Sequence, residues 1–135
     1  MGHLNIARML HEHGAVLTAK NANGVTFLHG AAQEGRDAVV EWLLCEKVPV
    51  DEPDNWGCTS LMVACRRGHL KIAQMLHEHG ASLTSKSLDG WNCLQFAAEH
   101  GRDAVVEWLL CEKVPVDEPE NGGCTSLMLA CRRGI

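Results

Sequence analysis

Nowhere in these 135 residues does an apolar run approach the roughly 18 positions that a membrane-spanning helix needs. The opening stretch, MGHLNIARMLHEHG, is unlike a secretory signal, because His, Asn, Arg and Glu interrupt its apolar residues. Met1-Gly2 could open a myristoylation site, but position 6 is Ile where that modification wants Ser or Thr. An excess of basic charge is missing too. The net charge of −5 gives no pull toward nucleic acid or an anionic membrane, so neither is expected as a partner. Phosphate-cradling loops, the dinucleotide fingerprint and the G-x-S-x-G elbow are all absent. Cysteine is present, but in an odd number, seven, and never as C-x-x-C, which argues against a disulfide framework. Reduced thiols in a cytosolic or nuclear protein, not a secreted one, are the expectation.

What the chain does have is internal repetition. Gly2, Gly35, Gly68, Gly101 and Gly134 fall on one phase of a 33-residue period, and Gly24, Gly57, Gly90 and Gly123 on another. A period of 66 lies above it. Residues 35–67 and 101–133 differ only at Asp54/Glu120, Trp56/Gly122 and Val63/Leu129, whereas residues 2–34 and 68–100 match at 19 of 33 positions. The unit is therefore a pair of dissimilar repeats used twice, and GRDAVVEWLLCEKVPVDEP recurs letter for letter as its duplicated part.

Each unit reads as two helices. Val39, Val40, Leu43 and Leu44 recur on one face of a 3.6-residue period, as do Leu4, Ile6, Ala7, Met9 and Leu10. Thr26, Thr59, Thr125 and Asn92 stand where a side-chain oxygen can cap the shorter helix of each unit. Gly14 and Gly80 end helices through a left-handed residue. Lys47 and Lys113 take that place in the other two units, at a cost of about 1 kcal/mol, with Pro49 and Pro115 stopping the helix two residues later.

A 33-residue unit written G-x-T-x-L-x-x-A-A-x-x-G, followed by an apolar helix and Gly-Ala, resembles the ankyrin repeat across the whole chain. The resemblance implies an all-α solenoid of stacked helix-turn-helix units with short hairpin-like turns, whose concave face carries the turns and first helices. One array then runs over 1–135: a half repeat at 1–20, full repeats at 21–53, 54–86 and 87–119, and a half repeat at 120–135. Departures exist. The family's Thr-Pro-Leu-His lacks its Pro in every copy, and only His29 keeps its buried histidine, leaving the inter-repeat hydrogen bonds in question elsewhere. Met62 and Met128 can fill that space without making the bond.

Two arrangements suggest chemistry and fail on spacing. His11-Glu12-His13 and His77-Glu78-His79 point their imidazoles roughly 200° apart on a helix, so a shared metal is not expected. His11 and His77 align with an apolar position and read as packing residues, with His13 and His79 exposed. Cys65 and Cys131 replace the second Ala of an Ala-Ala pair and read as small buried side chains, while Cys45 and Cys111 lie outward. Cys58 and Cys124, at turn ends some way from an Arg pair, are where a lowered thiol pKa is conceivable. No cofactor and no catalytic residue is expected.

The resemblance implies instead a binding face at the turn tips and the exposed side of the first helices. By alignment it includes Asn23, Val25, Trp56, Cys58, Arg66 and Arg67 in the first half. The second half contributes Leu88, Asp89, Trp91, Glu99, His100, Cys124, Arg132 and Arg133. Trp56 and Trp91 are the expected anchors of a protein partner, since an indole at an exposed turn is a common interface residue. Trp42 and Trp108 align with Met9 and Met75 and read as core. Along the same face Gln33-Glu34, Arg66-Arg67, Glu99-His100 and Arg132-Arg133 alternate in sign, which favours pairing between adjacent repeats over a strip for an acidic partner.

Two function classes fit: a non-catalytic protein-interaction scaffold, and a structural or engineered self-assembling repeat fragment. For the second, Leu4, Ile6, Met9 and Leu10 at one end and Leu127 and Met128 at the other lack part of their cover in the repeat frame. The two half repeats are complementary, with Gly134 on the position of Gly2, so head-to-tail contact between copies with a three-residue overlap is the expectation. Because no metal-binding spacing occurs, purified protein should carry no stoichiometric zinc. Elemental analysis finding one zinc per chain after dialysis, lost on changing His11 and His77 to Ala, would contradict this reading.

Overall fold

A computed structural model of the chain describes residues 2–132, with side chains from Leu4 onward. Among the described residues eight helices follow one another: α1 (Gly2–Glu12), α2 (Phe27–Glu34), α3 (Asp37–Cys45), α4 (Ser60–Arg67), α5 (Leu70–Glu78), α6 (Cys93–Glu99), α7 (Asp103–Cys111) and α8 (Ser126–Arg132). No strand occurs among them. The all-α expectation therefore holds.

Each helix begins where local chemistry allows. The hydroxyl of Thr26 accepts the backbone N–H of His29, that of Thr59 accepts Met62, and the side-chain oxygen of Asn92 accepts Gln95. In the first and third of these caps the return bond also forms. His29 Nδ1 accepts the N–H of Thr26 and Gln95 Oε1 that of Asn92, so two orphan donors are satisfied reciprocally. Lys47 and Lys113 adopt the left-handed conformation expected of them, at φ 61° and 63°.

Packing then proceeds in two rows. Helices α2, α4, α6 and α8 stack one on the next, α1, α3 and α5 form a second row behind them, and α2–α3, α4–α5 and α6–α7 pack pairwise. The core lies between the rows. Leu43, Leu61, Met62, Ile72, Leu76, Leu94 and Leu109 are fully buried there, each contributing about 1.5–3 kcal/mol of burial. Cys65 sits in it as a small apolar side chain, but Cys131, its counterpart in α8, is exposed because among the described residues nothing stacks beyond α8. Trp42 is buried as expected, and Trp108 packs half-buried against the core.

The turns stack as well, through main-chain bonds that the helices do not make. The N–H groups of Asn55, Leu88 and Asn121 donate to the carbonyls of Asn23, Trp56 and Asp89 in the preceding turn, each at 2.9 Å. Such an approach leaves no room for a side chain at the turn glycines Gly24, Gly57 and Gly90. A Cβ on Gly90, itself at φ 82°, would lie 2.9 Å from the backbone N of Asn121. Further bonds tie repeats together from the helix ends: His69 Nε2 meets the Gln33 carbonyl at 3.1 Å, and Arg102 Nε donates to the Arg66 carbonyl at 2.9 Å.

The missing family histidine is compensated in one place and not in another. His29 is buried and its Nε2 bonds the Cys58 carbonyl across the repeat boundary at 2.9 Å. Gln95 makes a different bond, donating from Nε2 to the Glu118 carbonyl at 2.6 Å within its own repeat, so sequence reasoning underrated it. Met62 fills its site without a bond, as expected. Changing Gln95 to Met should thus destabilise the chain by about 1–3 kcal/mol, since it strips a cap and leaves a part-buried carbonyl short of its donor. Urea unfolding checks this; an unchanged midpoint would contradict the role given to Gln95.

Candidate protein-interaction face

The turn tips and the adjoining side of α4 and α6 enclose an open hollow of about 360 Å³. Trp56, Arg66, Asp89, Trp91, Phe96 and His100 contribute to its wall, with Cys58, Ser87 and Glu99 behind them. Two repeats thus bring together seven of the residues expected at a binding face. Trp91 and Phe96 lean together with ring centroids 5.2 Å apart, and the Arg66 guanidinium lies over Phe96 at 5.8 Å. The hollow is aromatic at its floor and charged at its rim.

Exposure divides the expected residues. Asn23, Trp56, Arg67, Asp89 and Arg132 are exposed, and Trp56 keeps 55% of its surface open. Val25, Arg66, Trp91 and His100 are half-buried. Trp91 is not the free indole that its turn position suggests. Its Nε1–H donates to Glu120 Oε2 of the next turn at 2.9 Å, so its ring is pinned against Phe96. Glu99 departs further: only 8% exposed, it accepts Arg132 Nη2 at 3.0 Å across the stack. That contact is the inter-repeat pairing implied by the alternating signs. Arg133 lies outside the described residues, as do Met1, Gly134 and Ile135.

The substitutions that distinguish the two halves concentrate here. Asp54 Oδ1 accepts the N–H groups of Trp56 and Cys58, both at 2.9 Å, and closes its turn locally. The longer Glu120 accepts Cys124 N–H with one oxygen and the Trp91 indole with the other. The Cys124 N–H chiefly, helped by that indole, holds the Glu120 carboxyl below the usual carboxylate range. Asn55 and Asn121 also donate their side-chain amides to the carbonyls of Ala22 and Leu88 in the preceding turn, at 2.9 and 3.0 Å. Residue 88, the equivalent position between them, is Leu. It has no amide to offer and is 71% exposed. Trp56 and Leu88 therefore form an apolar pair on adjacent turn tips, joined by the Leu88 N–H to Trp56 carbonyl bond. Alignment named both residues; the missing amide is what sets Leu88 apart, and comparing it with Asn55 and Asn121 in sequence could have found it.

The histidine and cysteine candidates take structural places. His11 packs edge-on against Trp42 at 5.9 Å with Nε2 3.5 Å from Glu46, and His77 repeats this with Trp108 and Glu112 at 5.8 and 3.4 Å. His13 and His79 are exposed and bond the carbonyls of Met9 and Met75 in their own helices. Among the described residues no three His, Cys, Asp or Glu side chains gather closely enough to hold a metal. Cys58 is the correction. It is buried, not presented at the turn, and burial with the nearby Asp54 carboxylate pushes its thiol up to about 11 instead of lowering it. A hydrogen bond with Cys93, together with burial, raises Cys65 as well.

Known proteins agree with this architecture. The family model described as ankyrin repeats in three copies matches residues 1–87 and 28–119, and the chain belongs to the ankyrin-repeat family. Its relatives include a transient receptor potential cation channel subfamily A member 1 homolog of Caenorhabditis elegans, 32% identical over 116 residues and 86% of this chain. An ankyrin repeat and KH domain-containing protein of Caenorhabditis briggsae is 33% identical over 81% of the chain, and the tyrosine-protein kinase Shark of Drosophila melanogaster 35% over 77%. The chain spans only 10%, 4% and 11% of those proteins' own lengths. Ankyrin repeats are in general protein-interaction modules without catalysis of their own, and no described helix is long and apolar enough to cross a membrane.

The thiol environments yield a pH effect. In the fold Cys58 stays protonated to about 11, against an ordinary 9.0 once unfolded. Its contribution to stability is complete below pH 9 and is withdrawn as pH rises from 9 to 11, where the unfolded chain has already released the proton. Unfolding midpoints should fall more steeply over that window in the parent chain than in a Cys58→Ala variant. Parallel slopes would contradict the burial of an un-ionised thiol.

Proposed function

We propose that the chain is a non-catalytic scaffold, a continuous array that holds a protein partner on the concave face formed by its turns and first helices. Trp56 and Leu88 carry the reading. Two large apolar side chains stand exposed on adjacent turn tips, where the equivalent positions bear small or polar residues, and Leu88 forgoes a side-chain bond to be there. Beside them the hollow of Trp91, Phe96 and Arg66 offers depth for a side chain of the partner, with Asp89 exposed in its wall and Arg67 exposed at the end of α4. His100 belongs to its wall, Asn23, Val25 and Arg132 extend the proposed face onto the neighbouring repeats, and Glu99 acts by holding Arg132. Buried or reduced thiols suit a cytoplasmic or nuclear setting.

Peptide ligands selected on the immobilised chain from a displayed random library test this reading. Their affinity should fall about tenfold or more on changing Trp56 to Ala or Leu88 to Asn. The second change should leave the melting temperature unaltered or raise it, because the amide restores the bond that the other turns make. Ligands indifferent to both changes, yet lost on changing Glu41 and Glu107 to Ala on the second-helix row, would overturn it. A second reading, association of copies end to end, is favoured by an open apolar groove beside α1.

A further inference from the structure

Resting on that second reading, we infer that the groove between α1 and α2 is a seat for α8 of another copy of this chain. The groove measures about 590 Å³, and Ile6, Ala7 and Leu10 of α1 face Phe27, Gly30 and Ala31 of α2 across it. What fits there is visible elsewhere in the same molecule. Helix α5 repeats α1 with two changes, Lys71 for Asn5 and Gln74 for Arg8, and α4 covers it. Under that cover Ile72 and Leu76 are fully buried, whereas their counterparts Ile6 and Leu10 are 52% and 58% exposed.

Helix α8 is in turn a copy of α4, differing from it over 126–132 only in Leu129 for Val63. In α4 the side chains of Leu61, Met62 and Cys65 are buried between α5 and α6. In α8 the matching Leu127 is 76% exposed, with Met128 and Cys131 exposed beside it. Placing α8 of a second copy on α1 and α2 therefore repeats an interface that the chain already makes with the same residues. It would bury the bare faces of both ends together.

Charge and volume agree with that placement. In the template Arg66 stands beside His100 and over Phe96. In the groove the equivalents of these two are Glu34 and Gly30. Arg132 of the incoming helix would thus meet a carboxylate where Arg66 has an imidazole, and Gly30, with nothing within 4 Å of its Cβ direction, leaves the space open. In the repeat frame Arg133–Ile135 of one copy and Met1–His3 of the next take the same repeat positions. The paired segments themselves, α8 to Arg132 and α1 from Leu4, do not overlap. Seat and inserting helix lie at opposite ends, so the contact is heterologous and copies join as strings, not as closed pairs.

Light scattering on the 135-residue chain over a roughly hundredfold range of concentration should show an average mass that grows. An Ile6→Glu, Leu10→Glu variant has a damaged seat and an intact inserting helix; a Leu127→Glu, Met128→Glu variant has the reverse. All four positions are already exposed, and circular dichroism confirms that each variant remains folded. Each alone should stay monomeric, and their equimolar mixture should form a dimer that grows no further. A constant monomer mass for the parent chain would overturn both the seat and end-to-end association. Growth of the parent together with growth of either variant alone would keep association but overturn the seat, as would a mixture that stays monomeric.

Discussion

No unit of this chain can bury its own apolar face, and everything else in the structure follows from that constraint. A pair of helices such as α4 and α5 covers one side of each partner and leaves the other side bare until a neighbour stacks on it. Leu61 and Leu127 are the same residue in two copies of one helix, buried inside the array and exposed at its edge. Stability is accordingly a property of boundaries between repeats. The polar contacts agree with this, because His29 Nε2, the Arg102 and Arg132 guanidinium groups and the amides of Asn55 and Asn121 all bond to an adjacent repeat.

That dependence also produces the interaction face. Because each turn donates a backbone N–H to the turn before it, the tips form a row at fixed spacing, and side chains on successive tips are held in register. Trp56 and Leu88 are neighbours for this reason although 32 residues separate them. The pinning of Trp91 by Glu120 belongs to the same logic: a residue two turns away from Trp56 fixes the floor of the hollow that Trp56 overhangs. A partner would meet a surface largely ordered in advance, which lowers the conformational entropy lost on binding.

Periodicity made the architecture legible. A 33-residue phase marked by glycines, a capping residue before each short helix and an apolar stripe in each longer one suffice for the helices and their order. The phase also placed Trp56 and Leu88 at turn tips. It did not reveal what each side chain meets across the stack. Glu99 looks like a surface residue because its helix face is open, yet the arginine one repeat further on covers it. Cys58 precedes a cap and reads as a turn residue, but the His29 ring that bonds its carbonyl comes from the preceding repeat and helps to enclose it. Cys131 errs in the other direction, since its burial needs a neighbour that α8 lacks among the described residues. Position within a repeat is written in the sequence; cover depends on a residue about 33 positions away.

If stacking between repeats is the principal constraint, the turn tips should be protected like helices despite lying at the surface. Native-state amide hydrogen exchange on the N–H of Leu88 tests this most directly. The account predicts exchange from Leu88 nearly as slow as from the amides of α4 and α6, because the Trp56 carbonyl is released only when the boundary between those repeats opens. Exchange from Leu88 at the rate of a free loop, while α4 and α6 remain protected, would contradict it.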